Sequence, residues 1–128
     1  MNRSEAHHLI SNYMQAWLDQ DLRSFLATLD EKAVVRECYR PGYTDRPQCE
    51  RWFTSWHAAG NNVTQWTLES FAFDDSSETA AIEWEFTCWA DGGRHSFFGS
   101  SHVHFSHGRI IEMNEYQMTK NRTNRHAR

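Results

Sequence analysis

The feature that most constrains this chain is a run of alternating residues between positions 79 and 116. From 80 to 90 the even positions Ile82, Trp84, Phe86 and Cys88 are apolar, while Glu83, Glu85 and Thr87 lie between them. That period of two marks a strand with one wet face. From 97 to 105 the odd positions Phe97, Gly99, Ser101, Val103 and Phe105 set a mostly apolar face against Ser100, His102 and His104. Residues 109–117 supply a third strand. Asp91-Gly92-Gly93 and His107-Gly108 lie between the runs and suit tight antiparallel hairpins. A meander with one apolar face needs a cover, and the first half of the chain can supply it.

In that first half, Ser4 caps a helix on which Leu9, Ile10, Tyr13, Met14, Trp17 and Leu18 repeat at helical spacing. Asp21 opens a second, short helix. Asp30-Glu31-Lys32 reads as a polar turn and residues 33–39 as a strand, with Val35, Glu37 and Tyr39 on one side. Arg40-Pro41-Gly42-Tyr43 is a turn, after which Asp45 and Gln48 are spaced as a capping box with Pro47 in the first turn. The third helix carries Cys49, Trp52, Phe53 and Trp56 on one stripe, and Gly60 is placed to end it. Residues 63–73 form a further strand whose apolar parity changes between Leu68 and Phe71, which predicts a bulge near Glu69 or Ser70. The order is helix, helix, strand, helix, then four strands. It folds most simply as an α+β cone, a curved antiparallel sheet with three helices from the N-terminal half on its concave face. Three helices cannot fill a curved sheet, so a pocket is expected between the sheet and the first and third helices, lined by Tyr13, Trp17, Trp52, Trp56 and Trp84.

At 128 residues the chain is one domain by length, read as 1–119 followed by a basic polar tail, 120–128, with Lys120, Arg122, Arg125 and Arg128. A formal net charge of -4 argues against a nucleic-acid binder. Cys38, Cys49 and Cys88 are odd in number and not closely spaced, which fits free thiols in a reducing, cytoplasmic setting. Residues 1–8 hold no apolar run of a signal segment, and no stretch reaches the ~18 apolar residues of a membrane span. His102 and His104 share a strand face, but Glu112 follows too far behind them for the metal motif of cupin barrels. No metal and no cofactor are expected.

Two local patterns go further. Tyr13-Met14-Gln15-Ala16-Trp17 leading to Asp21-Leu22, and Gly108-Arg109-Ile110 followed by Glu115-Tyr116, resemble the nuclear transport factor 2 superfamily of cone-shaped domains. SnoaL-like cyclases, ketosteroid isomerases, limonene epoxide hydrolase and scytalone dehydratase belong to it, and the resemblance covers almost the whole chain. It implies a fold and not one activity, because this superfold hosts isomerases, hydrolases, dehydratases and non-enzymatic binding modules. Ketosteroid isomerases are similar in spacing from Tyr13 through Asp21 to Glu37. The resemblance puts their oxyanion-hole tyrosine on Tyr13 and their carboxylate base on Glu37, whereas their second acid falls on Ser101, which is no carboxylic acid. Limonene epoxide hydrolase is similar around residues 108–116 and places a carboxylate on Glu115, but its arginine and other aspartate fall on Ile82 and Trp84. The family comparison turns Met113 and Glu115 inward, while strict alternation from Ile110 would turn Glu112, Asn114 and Tyr116 inward; a bulge reconciles the two. Ser101 and Met113 join the expected pocket wall. The superfamily commonly dimerises through its outer sheet face, where Glu83, Glu85, Trp89, Phe98, His102 and His104 would form a homodimer contact.

The chemistry expected of such a chain is the binding of a small hydrophobic molecule, with cofactor-independent proton transfer of the isomerase, dehydratase or cyclase kind. Glu37 or Glu115 serves as base and Tyr13 as hydrogen-bond donor to the developing oxyanion. The alternative is a non-catalytic ligand-binding or dimerisation module. In that case Trp17, Trp56 and Trp84 pack against one another, and the carboxylates pair with Arg36, Arg40, Arg94 or Arg109.

Overall fold

The computed structural model describes residues 1–39 and 42–118. Arg40, Pro41 and the basic tail lie outside the described residues. Helix α1 (Arg3–Asp19) starts two residues earlier than Ser4 predicts. Asn2 is its cap: the Asn2 side chain accepts from the Glu5 amide at 2.8 Å, and the Glu5 carboxylate accepts from the Asn2 amide at 3.0 Å. The reciprocal box satisfies two of the helix's orphan donors and overrides the serine. Gln20 ends the helix in a left-handed conformation, and Asp21 immediately caps α2 (Leu22–Ala27) by accepting from the Ser24 amide.

Strand β1 (Leu29–Arg36) corrects the expected boundaries at both ends. Asp30-Glu31-Lys32 keeps a turn-like bond, Lys32 amide to Asp30 Oδ1 at 2.9 Å, yet lies within the strand. Leu29, fully buried, pairs with Ile110 ahead of it, and the register shifts between Leu29 and Val34 to absorb the polar residues. At the other end Glu37, Cys38 and Tyr39 fall beyond the strand. Gly42 and Tyr43, expected as turn, form the two-residue strand β2 (Gly42–Tyr43), which pairs antiparallel with Val35 and Arg36.

Helix α3 (Arg46–Ala58) is capped by Asp45, which accepts from the Gln48 amide at 2.9 Å, while Gln48 reaches back to the Thr44 amide. The four long strands β3 (Asn62–Asp74), β4 (Thr79–Ala90), β5 (Gly93–Ser106) and β6 (Arg109–Met118) form the meander. Asp91 and Gly92, and then His107 and Gly108, have positive φ, the conformation that lets a two-residue turn follow the twist of its strands. The sheet order is β2-β1-β6-β5-β4-β3, with β1 parallel to β6 and every other pair antiparallel.

Both predicted bulges are present. The β3–β4 register shifts between Leu68 and Ser70, and the β5–β6 register steps from Phe105↔Ile110 to His104↔Glu112. The second step makes Ile111 the extra residue, so Ile110 and Met113 are both buried and Glu115 follows Met113 onto the inner face. The core lies between that face and the helices, around Ile10, Tyr13, Phe25, Phe53, Ile82 and Val103. No helix among the described residues is long and apolar enough to cross a membrane.

Candidate functional site

Aromatic side chains inside the cone fall into two groups. On the helical side, Trp17 packs on Trp52, Phe53 and Trp56 with ring centroids 4.7, 4.6 and 5.6 Å away, and Tyr43 stacks on Trp52 at 4.4 Å. On the sheet side, Trp66, Trp84, Phe86 and Phe97 meet edge-on or stacked at 5.2 to 6.1 Å. Tyr13 joins the groups, with its ring 5.4 Å from Phe25 and 6.0 Å from Trp66. The space left between them is a cavity of about 110 Å³. Tyr39, 73% exposed, stands at its mouth.

Of the expected site residues, Tyr13, Trp17, Glu37, Trp52, Trp56, Trp84 and Glu115 all line this cavity. Ser101 and Met113 do not, which corrects the expectation for both. Ser101 is buried beneath Trp84 and accepts a 2.9 Å hydrogen bond from its indole Nε1, and Met113 is a core residue against Val35 and Val103. Trp17, Trp56 and Trp84 are not in mutual contact either: Trp84 belongs to the sheet-side group. Sequence reasoning did not single out Trp66, Phe86 and Phe97 as wall residues, although the alternation that marked Trp84 also marked Phe86 and Phe97. Tyr43 was hidden because it was read as turn.

The two carboxylates come together through the β1–β6 register. Val35 is opposite Met113 and Arg36 opposite Asn114, so the next step along each chain brings Glu37 toward Glu115. Neither carboxylate is paired with an arginine among the described residues. Arg36 points the other way, donating to Glu112 at 2.8 Å and to Asn114 at 2.9 Å on the outer face. Glu37 instead accepts from the Tyr43 hydroxyl at 3.0 Å. Burial raises the Glu37 carboxyl above its usual range, opposed by the Tyr43 and Trp52 donors. Glu115 has no such donors among the described residues. Burial first, and the neighbouring Glu37 charge second, push it up to about 8.

Tyr13 is 1% exposed, and its hydroxyl has no hydrogen-bond partner among the described residues; the indole Nε1 atoms of Trp17 and Trp66 are likewise unpartnered. Desolvation, followed by the Glu115 charge, holds the Tyr13 phenol well above its ordinary value, so it remains a neutral donor. Cys38 also lines the cavity, but burial pushes its thiol up to about 12, which leaves no thiolate to act as nucleophile near neutrality. The arrangement is a small aromatic chamber with a carboxyl poised to exchange protons near neutral pH and with buried donors that lack acceptors. No group of three or more metal-binding side chains occurs among the described residues.

A family model described as a SnoaL-like domain matches residues 10–113. No curated protein sequence matches the chain. Among solved structures, an epoxide hydrolase of M. tuberculosis described as LEH-like is similar with a TM-score of 0.80 and 13% identity, over 91% of this chain and 84% of that one. A protein of unknown function with a cystatin-like fold from Methylobium petroleophilum gives a TM-score of 0.74 and 21% identity, over 99% and 83%. A hypothetical protein with a ketosteroid isomerase-like fold from Catenulispora acidiphila, solved in complex with trimethylamine, gives 0.74 and 13%, over 88% and 85%. At these identities the likeness is one of fold.

Proposed function

Because the chain belongs to the SnoaL-like domain family, within the nuclear transport factor 2-like superfamily, we propose that its cavity binds a small organic molecule and moves a proton on it without a cofactor. The observation that carries this reading is Glu115, a carboxyl raised to about 8 inside an aromatic chamber and facing no cation among the described residues. A base is most useful when it titrates near the working pH, where it is both available and strong enough to take a proton.

In the reaction that follows from this geometry, ionised Glu115 takes a proton from the carbon next to a carbonyl. The C–H bond electrons move into the enolate, and Tyr13 donates to the oxygen that gains charge. With a β,γ-double bond, return of the proton from Glu115 to the γ-carbon completes an isomerisation; with a β-hydroxyl, the same proton goes to the leaving oxygen, which departs as water and completes a dehydration. Glu37, tied to Tyr43, keeps its own place and raises the basicity of Glu115. Size limits the ligand. A cavity of about 110 Å³ is smaller than the roughly 150 Å³ that takes up a benzene ring, so a fused-ring substrate does not fit without opening the aromatic wall. Trimethylamine, the ligand of the Catenulispora protein, is of the scale that does.

The test is exchange of solvent deuterium into the α-carbon of small ketones, followed by proton NMR. Exchange above the buffer rate, rising with pH through about 8 and abolished in Glu115→Gln, supports the reading. Exchange no faster than in the Glu115→Gln protein overturns it. A homodimer through the outer sheet face belongs to the same proposal, since Trp89, Phe98, Tyr116 and Met118 are exposed there.

A further inference from the structure

The cavity wall has a charge character that its apolar lining conceals. Among the described residues its only acidic side chains are Glu37 and Glu115, and no lysine, arginine or histidine lines it. A neutral hydrocarbon would satisfy the rings but leave the Glu37 and Glu115 carboxyls, both raised by burial, without a counter-charge. An anion would be repelled by both. A cation supplies that counter-charge within a wall that includes Trp17, Trp52, Trp56 and Trp84, rings whose π-systems attract positive charge. The second observation lies deeper: the Tyr13 hydroxyl, on a side chain 1% exposed, and Trp66 Nε1 are buried donors of the cavity wall without acceptors among the described residues. Buried donors of this kind call for an oxygen.

We infer that the cavity selects a small organic cation, an alkylated ammonium nitrogen held between the tryptophan wall and the Glu37 and Glu115 carboxyls, which also carries an oxygen that accepts from Tyr13 and Trp66. This specifies the charge of the ligand and rests on the reading of the cavity as a small-molecule site. A cation held there also favours ionised Glu115, the form that takes a proton, at the cost of some of its basicity, and an ammonium group close to a carbonyl acidifies the C–H between them.

The experiment compares protonated N-methylethanolamine, five heavy atoms, with its uncharged isostere 1-butanol, which has carbon in place of nitrogen, at equal ionic strength. Both are titrated against the full chain while the indole N–H resonances of Trp17 and Trp66 are followed by NMR. The ammonium compound is expected to bind at least about tenfold more tightly, the span of a desolvated cation–π contact joined to a carboxylate. The preference should fall to less than about threefold in the Glu37→Gln, Glu115→Gln double variant, whose wall keeps its shape and loses its charge. Equal or tighter binding of the isostere overturns the cation assignment and leaves proton transfer standing. If neither compound moves the indole signals, both the assignment and the small-molecule site fall. The comparison on the unaltered protein does not depend on how any variant folds.

Discussion

The Trp84 indole occupies the space that any side chain at position 99 would need. A Cβ built on Gly99 would collide with the Trp84 ring and lie 2.5 Å from the Tyr116 carbonyl oxygen. Trp84 and Gly99 are paired across β4 and β5, so the missing side chain is what allows the indole to lie along the sheet, wall the cavity and donate to Ser101. Gly→Ala in a strand is ordinarily tolerated or mildly stabilising, because glycine loses the most entropy on folding. Here Gly99→Ala should instead cost about 1–3 kcal/mol through overpacking. Urea unfolding would measure the loss, and near-UV circular dichroism would report the displaced tryptophan.

Glu115 makes stability depend on pH in a direction opposite to that of an ion-paired carboxylate. Its folded value, about 8, lies above the ordinary carboxylate value of 4.5, so between those values the folded chain holds a proton that the unfolded chain releases. Its contribution is full below the unfolded value and is lost as pH rises through about 8. Glu115→Gln imitates the protonated form at every pH. It should leave stability at pH 5 nearly unchanged and raise it by about 1–3 kcal/mol at pH 8 and above, half-burial reducing the full linkage value. Denaturant titrations at the two pH values decide it; a variant less stable at pH 8 would mean that the carboxylate is paired after all.

Glu37 and Glu115 are coupled, and Tyr43 is the handle on that coupling. The Tyr43 hydroxyl donates to Glu37 at 3.0 Å and favours its charged form. Tyr43→Phe removes the donor but keeps the ring stacked on Trp52. Glu37 should then titrate higher, and Glu115, facing less charge over the same range, should titrate lower. Carbon-detected NMR of the two side-chain carboxyls, assigned with single Glu→Gln variants, would show the opposed shifts. Movement of both in the same direction would mean that they do not sense one another.

The contrast between Trp84 and Ser101 shows where the sequence is legible. Alternation over residues 79–116 needs only the pleat, so it located three strands, both hairpin turns and the inner position of Trp84. The parity break near Glu69, and the conflict between Ile110 and Glu115, each marked a bulge that is present. Ser101 also shares the inner face, but parity says nothing about depth, and the larger Trp84 ring lies between it and the cavity space. The N-cap of α1 was missed because Asn2 and Ser4 are both good caps, and only the Glu5 side chain decides between them. Strand β2 was missed because two residues carry no period; its pairing comes from Val35 and Arg36, which are distant from any local signal. The approach of Glu37 to Glu115 depends on a parallel pairing between strands 70 residues apart and more, and local reasoning has no access to that.

Glu115 and Tyr116 are adjacent in β6 and point to opposite faces, so the outer surface can be altered without touching the cavity. Tyr116 is 58% exposed, with Phe98 paired to Met118 two register positions away on the same face. Beside them the surface turns polar, where Arg36 clasps Glu112 and holds its carboxyl below the usual range. An apolar patch with a charged border is the pattern of a homodimer contact. Tyr116→Lys would place like charges across a two-fold axis and should convert a dimer to monomer, read by sedimentation velocity. The raised titration of Glu115 should survive, because desolvation inside the cone sets it. A wild-type chain that sediments as a monomer would remove the dimer from the proposal. A Glu115 titration that collapses in Tyr116→Lys would mean instead that the partner's surface is what keeps the cavity dry.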